Sequence, residues 1–501
     1  MSWEHVIAGI PLSFFFGALI ISLLNRRSVH APHGVALVAT LVALVSSIVG
    51  LVYSLMEGTT SYEMGGWPAP MGIEFILDPL SAFFCVVISA TAVFVFIHGK
   101  SIVEKETPGK LIPFYSTAML LLGGLMGIVL TGDFFNLYVF LEISSLAGYA
   151  LVSLGDRRAP VSAFRYLILG TIGASFYLLG AGLLFMETGS LNMGDVHRVL
   201  PVIGESPATL VGIILIILGI GLKMALFPLH GWLADAYTHA SSVATALIAP
   251  IGTKVAAYFL LRMFFYVLEI DYVRDERPLA LVVGYLGAAG IVWGSIMAIS
   301  QKDLKRMLAY SSVAQVGYLA LGIGLTSPFG FIGAVLHTLN HAFMKACLFL
   351  VNTNILSRMG HTSIPRFDHT YRIRMPWTMA TLAVASLSMI GLPPTAGFFS
   401  KWYLVLGTLE QGSWILLAVI LLSTLLNAVY FFRILERVYL RSDGAAYDEK
   451  DVAREASIQR DEVQGSMLAP TVILGVSLIV LGLGNVFIVK IIQAMIPAGL
   501  L

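Results

Sequence analysis

"ILGIGLKMALFPLHG", residues 217–231, decides how this chain is read. It closes an apolar run starting at Ala208, and that run has the roughly 20 residues needed to cross a bilayer. Yet it holds Lys223 and, shortly after, Pro228. A lysine at the bilayer centre costs about 2.5–3.5 kcal/mol on insertion scales. Proline removes a backbone donor where no water can replace it. Both penalties in one helix suggest a site, because a broken helix beside a buried cation is how membrane proteins line ion paths.

The rest of the chain makes a membrane reading unavoidable. Of 501 residues, 57% are hydrophobic and only 12% charged, against about 25% charged in a soluble domain. The net charge of +1 gives nucleic acid nothing to bind. The two cysteines, Cys85 and Cys347, each sit inside an apolar run and form neither a disulfide framework nor a metal site. No ligand spacing for a metal and no quinone, flavin or iron–sulfur signature is present, so no cofactor is expected. The N-terminus lacks a basic segment before its first apolar run, so that run reads as retained.

Fourteen apolar segments are long enough to span: 5–24, 34–55, 78–98, 111–130, 134–153, 162–187, 208–228, 242–267, 278–299, 303–325, 330–355, 376–408, 413–440 and 467–498. The alternate loops test this count. One set holds 18 Lys and Arg, the other 3. By the positive-inside rule the first set is cytoplasmic, and both termini lie on the opposite side of the cell membrane. Two loops stand out. Residues 56–77 suggest a small external hairpin, and 441–466 a charged cytoplasmic connector. Asp78 reads as a helix cap. Arg165 and Arg262, near span ends, read as snorkelling side chains.

A second break, "GLPPTAGFFSKW" (391–402), carries Pro393 and Pro394 in span 12. Grouping spans 4–8 and 9–13 makes each broken helix fourth in a unit of five. Five is odd, so the second unit crosses the membrane upside down. The expected fold is therefore an all-α polytopic membrane protein with two inverted five-helix repeats. Residues 1–110 form a three-helix N-terminal region, 111–267 and 278–440 the repeats, 441–466 the connector and 467–501 a last helix. "GLKMALFPLHGW" (221–232) and "GLPPTAGFFSKW" also share a faint pattern, both running from Gly-Leu to Trp.

Ionisable residues inside spans mark function by default. Here they form a series: Glu142 in span 5, Lys223 and His230 flanking the first break, Lys254 in span 8, His337, His341 and Lys345 in span 11, and Lys401 after the second break. The three in span 11 are four residues apart and share a helix face. Histidine titrates near neutrality, and burial readily shifts lysine, so such a stripe can hand on protons. His230 and His337 read as supporting groups, alongside Pro228, Pro393 and Pro394.

The stretches "GDFFNLYVFLEISSLAGYAL" (132–151), "LKMALFPLHGWLADAYTHASS" (222–242), "QKDLKRMLAYSSVAQVGY" (301–318), "HTLNHAFMKACLFL" (337–350) and "GLPPTAGFFSKW" (391–402) together carry a resemblance. The chain is similar to the antiporter-like subunits of Mrp-type cation/proton antiporters, respiratory complex I and membrane-bound hydrogenases, most of all to the Mrp D subunit. The resemblance implies fourteen helices in two inverted units. It assigns proton translocation to Glu142, Lys223, Lys254, His341, Lys345 and Lys401. It also implies partner membrane subunits and transport of H⁺ with Na⁺. The alternative it leaves is a proton-pumping subunit of a complex I-like oxidoreductase or hydrogenase, driven by its neighbours. The match departs at "LADAYTHA", where Ala234 and Tyr237 stand in place of the family's usual "LPDAH" wording.

Overall fold

The computed structural model describes residues 4–25, 30–203, 206–440 and 458–500. Almost every element is a helix, as lipid requires: within hydrocarbon each backbone N–H and C=O must be satisfied inside its own segment. Thirteen helices are long and apolar enough to span a membrane. They match thirteen of the fourteen expected segments. The other, span 12, is two short helices, Pro376–Ile390 and Ala396–Glu410. Residues 56–77 do form a hairpin, with Thr60–Glu63 paired antiparallel to Glu74–Leu77.

Both expected breaks are present, and each has its stop in the left-handed region. The helix Pro207–Met224 is closed by Ala225 (φ 60°), ahead of Pro228. The chain then turns through residues 225–232 and resumes as Leu233–His239, a stretch expected to be loop. In span 12 the stop is Gly391 (φ 91°), a conformation glycine adopts without strain. The two stops fall at different places in the shared Gly-Leu…Trp pattern, which aligns Gly221, not Ala225, with Gly391.

Other boundaries also differ from expectation. The loop after span 6 holds an extra helix, Met193–Ile203. The last span stops at Gly484, and Asn485–Gln493 is a separate helix. Most of the 441–466 connector lies outside the described residues. Its described end is not a free solvated strand. Glu462 accepts from the backbone N–H groups of Trp377 and Thr378 at 3.1 and 3.2 Å, capping the first half-helix of span 12, and Asp461 pairs with Arg374 at 3.1 Å.

Close helix contacts rest on glycine seams. Gly173 and Gly180 of span 6 face Gly219 and Gly212 of span 7, and Gly287 of span 9 faces Gly317 of span 10. A Cβ on Gly180 would come within 2.5 Å of the Gly212 carbonyl. Small residues let helices approach in lipid, where no hydrophobic force drives them together. The segments buried most are spans 10 and 11, each 94% buried, and span 8 at 89%; span 2 and span 13 are only 33% buried and face outward. The centre of the bundle is thus made of the spans that carry Lys254, His337, His341 and Lys345.

Candidate functional site: a buried Glu–Lys–His axis

Lys223 occupies the last turn before the first break. Its ammonium donates to Ser145 Oγ at 2.7 Å, to Tyr149 Oη at 3.3 Å and to Glu142 Oε1 at 3.5 Å. Glu142, Ser145 and Tyr149 are spaced i, i+3, i+7 on span 5, so one helix face presents all three. The carbonyl of Leu222 is satisfied by the indole N–H of Trp232 at 2.8 Å. That indole lies flat on Tyr166, ring centroids 3.9 Å apart.

Next to Lys223 is a cavity of about 40 Å³, lined among others by Ser144, Ser145, Lys223, Tyr237 and Thr253. A water needs roughly 10–15 Å³ on this measure and two or more polar partners, so two or three waters fit. Across the cavity, Thr253 Oγ1 accepts from the ammonium of Lys254 at 3.2 Å, and Lys254 also donates to the Ala249 carbonyl at 2.7 Å. Of the series only Lys223 lines this largely apolar cavity; Glu142 and Lys254 border it through Ser145 and Thr253, which share their lysine contacts.

Beyond Lys254 the axis continues along span 11. Lys254 lies within electrostatic range of His337, His341 and Lys345. The His337 and His341 rings are stacked at 5.7 Å and 10°. Neither ring nitrogen of His341 has a hydrogen-bond partner among the described residues. Buried polar atoms are normally paired, so His341 has a donor and an acceptor position that no described residue fills. Lys345 donates to the Leu308 carbonyl at 2.6 Å and to Ser311 Oγ. His337 Nδ1 shares a hydrogen bond with Ser400 Oγ at 3.0 Å, one residue before Lys401.

Lys401 reaches back across the second break. It donates to the carbonyls of Met389 and Ile390 at 3.2 and 2.8 Å, the last two residues of the first half-helix. Four carbonyls at a helix end lack internal partners and carry partial negative charge, so an ammonium is the natural cap. The Tyr318 ring lies beneath it at 5.0 Å. Gly391 makes room: a Cβ there would sit 3.0 Å from Lys401 Cδ.

The family model described as "NADH:quinone oxidoreductase/Mrp antiporter, TM" matches residues 131–427. The chain belongs to this family. It is 45% identical over 492 residues to NADH-quinone oxidoreductase subunit N of Desulforudis audaxviator, covering 97% of each chain. It is 28% identical over 431 residues to the D-type subunit of the Na(+)/H(+) antiporter of Alkalihalophilus pseudofirmus, covering 86% of this chain and 85% of the other. A chain of the Mrp complex from Dietzia sp. shares the fold with a TM-score of 0.86 at 21% identity, covering all of both chains.

Within this antiporter-like protein, not every expected residue joins the axis. His230 does not: its ring stacks on Phe227 at 5.4 Å, within the turn of the break. Pro228 lies in that same turn rather than at the helix stop, and Pro393 and Pro394 follow the stop at Gly391. Arg165 is exposed and pairs with Asp235 at 3.0 Å, as a residue near the interface can. Arg262 does not snorkel. It is buried, forks onto both oxygens of Asp78 at 2.9 and 2.7 Å and lies between the rings of Tyr258 and Tyr266. Asp78 also caps its helix through Ser81 N–H at 2.7 Å.

The groups that sequence reading missed are hydroxyls: Ser145, Tyr149, Thr253 and Ser311, which hold Lys223, Lys254 and Lys345, and Ser400, which bonds His337. Their signal was available, since Ser145 and Tyr149 follow Glu142 at helical spacing and Thr253 and Ser400 each precede a buried lysine.

Proposed function

We propose that this multi-pass membrane protein moves protons along Glu142, Lys223, Lys254, His341, Lys345 and Lys401, as one subunit of a larger membrane complex. The observation that carries this is the cavity that has Lys223 and Ser145 on one side and Thr253, a hydrogen-bond partner of Lys254, on the other. Glu142 holds Lys223 protonated. When the pair separates, Lys223 releases its proton through water toward Lys254. The charge passes the His337–His341–Lys345 stripe to Lys401, where flexing of the second break opens the exit. His230, Pro228, Pro393 and Pro394 support the two breaks.

The driving force comes from outside the chain, from an ion gradient or from neighbouring subunits. One reading is cation/proton exchange, with Na⁺ the counter-ion, as in the relative named for an antiporter. The other is a redox-driven complex, favoured by the 45% identity to an oxidoreductase subunit over nearly the whole chain. In either, the chain resides in the cell membrane with both termini on the non-cytoplasmic face.

The test uses the purified complex in proteoliposomes containing a pH-sensitive dye. Lys223→Ala, Glu142→Ala and Lys401→Ala are expected to abolish proton movement while the complex stays assembled. Wild-type rates in any of them would refute the scheme. Redox proteins co-purifying, and pumping that follows electron transfer and ignores a Na⁺ gradient, would select the second reading.

A further inference from the structure

Tyr237 stands at the junction of the axis, on the half-helix Leu233–His239 that follows the first break. Its side chain is buried and lines the cavity beside Lys223. Its hydroxyl approaches Thr253 but closes no hydrogen bond with any described residue. A buried phenol normally finds a partner. Here the space available is the cavity, large enough for water and offering it Ser144, Ser145, Lys223 and Thr253 as partners. The same ring meets Phe349 edge-on at 6.4 Å, and the ammonium of Lys345 stands 5.9 Å over Phe349. One tyrosine thus touches the cavity of the first repeat and the lysine environment of the second.

Its placement is enforced from both repeats. Asp235, two residues earlier, pairs with Arg165 of span 6 at 3.0 Å and Arg306 of span 10 at 3.6 Å. His239, two residues later, pairs with Asp156 at 2.9 Å. Lys305 of span 10 donates to the Ala240 carbonyl at 2.5 Å. A half-helix this short has little stability of its own, so these contacts fix where the hydroxyl points.

We infer that Tyr237 is a proton-relaying residue between Lys223 and Lys254. This rests on the translocation reading above. In the step, the phenol oxygen takes a proton from cavity water that Lys223 has protonated. At the same time its own proton passes to Thr253 Oγ1, whose proton goes to neutral Lys254. The phenol and the threonine each gain and lose one proton, so both end neutral, and Lys254 ends as the cation. Reorientation of the two hydroxyls resets the path.

The experiment compares proton uptake by proteoliposomes carrying the wild-type complex and five variants. Tyr237→Phe keeps the ring against Trp232 and Phe349 and removes only the hydroxyl. It is expected to slow transport by roughly tenfold or more, the scale of a lost proton-transfer group. Tyr237→His supplies a group that both donates and accepts, and is expected to recover most of the rate. Thr253→Val is expected to slow transport similarly, and the double variant Tyr237→Phe/Thr253→Val to be no slower than the slower single. An unchanged rate in Tyr237→Phe would overturn the inference. So would a slow, assembled Tyr237→His complex, or a double variant whose losses multiply. Lys223→Ala in the same series separates the two levels: if it transports normally the whole axis fails, whereas if only Tyr237→Phe does, the relay alone fails.

Discussion

Ser145 holds the ammonium of Lys223 more closely than Glu142 does, at 2.7 Å against 3.5 Å. The ion pair is therefore shared, with the charge divided between a carboxylate and two hydroxyls, and a shared cation is easier to release than a tightly paired one. Hydrogen bonds to charged groups are worth about 1.5–3 kcal/mol. Ser145→Ala leaves the ammonium to Glu142 and Tyr149, draws it onto the carboxylate and slows its release. The expected outcome is a loss of roughly tenfold in proton transport, about 1.4 kcal/mol, with assembly intact. Glu142→Gln, which removes the charge itself, is expected to reduce transport further. Initial rates in proteoliposomes decide; a Ser145→Ala variant at or above the wild-type rate contradicts the shared-cation reading.

At the second break, Lys401 caps the carbonyls of Met389 and Ile390, and in the proposed route it has a second, separable job, carrying a proton. Arginine can do the first but not the second, because it is not deprotonated in proteins. Lys401→Arg is expected to keep thermal stability near wild type while transport is lost. Lys401→Ala is expected to lose both, with each missing charged hydrogen bond worth about 1.5–3 kcal/mol. Melting temperature and transport are measured on the same preparations. Sustained transport by Lys401→Arg would remove Lys401 from the proton route.

Much of this was legible in the sequence, because lipid leaves few choices. A segment of apolar residues long enough to cross it must be a helix, and thirteen of the fourteen expected segments are single helices. The positions of the breaks were also legible, since "FPLHG" and "GLPPTAG" cannot continue a span. What was not legible is where the chain stops. Met224 ends its helix because Ala225 turns left-handed, ahead of the proline that drew attention. Gly484 divides the last span without any proline. Nor could the sequence pair Arg262 with Asp78, which lies 184 residues away. The ionisable members of the axis stood out by their cost in lipid, whereas the serines and threonines that hold them are ordinary membrane-helix residues.

The Asp78–Arg262 pair ties the start of span 3 to the end of span 8, beside the hairpin of residues 60–77. Both side chains are only 10% exposed. Removing one partner from such a pair leaves a buried charge and costs about 3–5 kcal/mol, while replacing both with apolar groups is often close to neutral. Arg262→Leu and Asp78→Leu are each expected to lower the melting temperature of the complex sharply. The double variant is expected to recover part of that loss, short of the cap that Asp78 also provides, itself worth about 1 kcal/mol. Thermal unfolding of the three variants gives the coupling. Single variants as stable as wild type would mean that the pair contributes nothing.

The Asp156–His239 contact makes the Tyr237 half-helix sensitive to acid. Burial works to raise the Asp156 carboxyl, but hydrogen bonds from His239 and from the Arg158 backbone N–H outweigh it, and the net direction is down. A carboxyl lowered in the folded state adds stability above its unfolded value, about 3.9 for aspartate, and loses it as pH falls through the lower folded value. At neutral pH the contact is therefore in place, and it is released only in strong acid. Asp156 is 56% exposed, so the effect is local. Hydrogen exchange of residues 233–239 measures it. In wild type, exchange after correction for its intrinsic pH dependence is expected to stay low down to roughly pH 4 and to rise below that. In Asp156→Asn it is expected to be raised already at pH 7 and to change little on acidification. An Asp156→Asn variant whose corrected protection still falls in acid, as in wild type, would assign the sensitivity to another group.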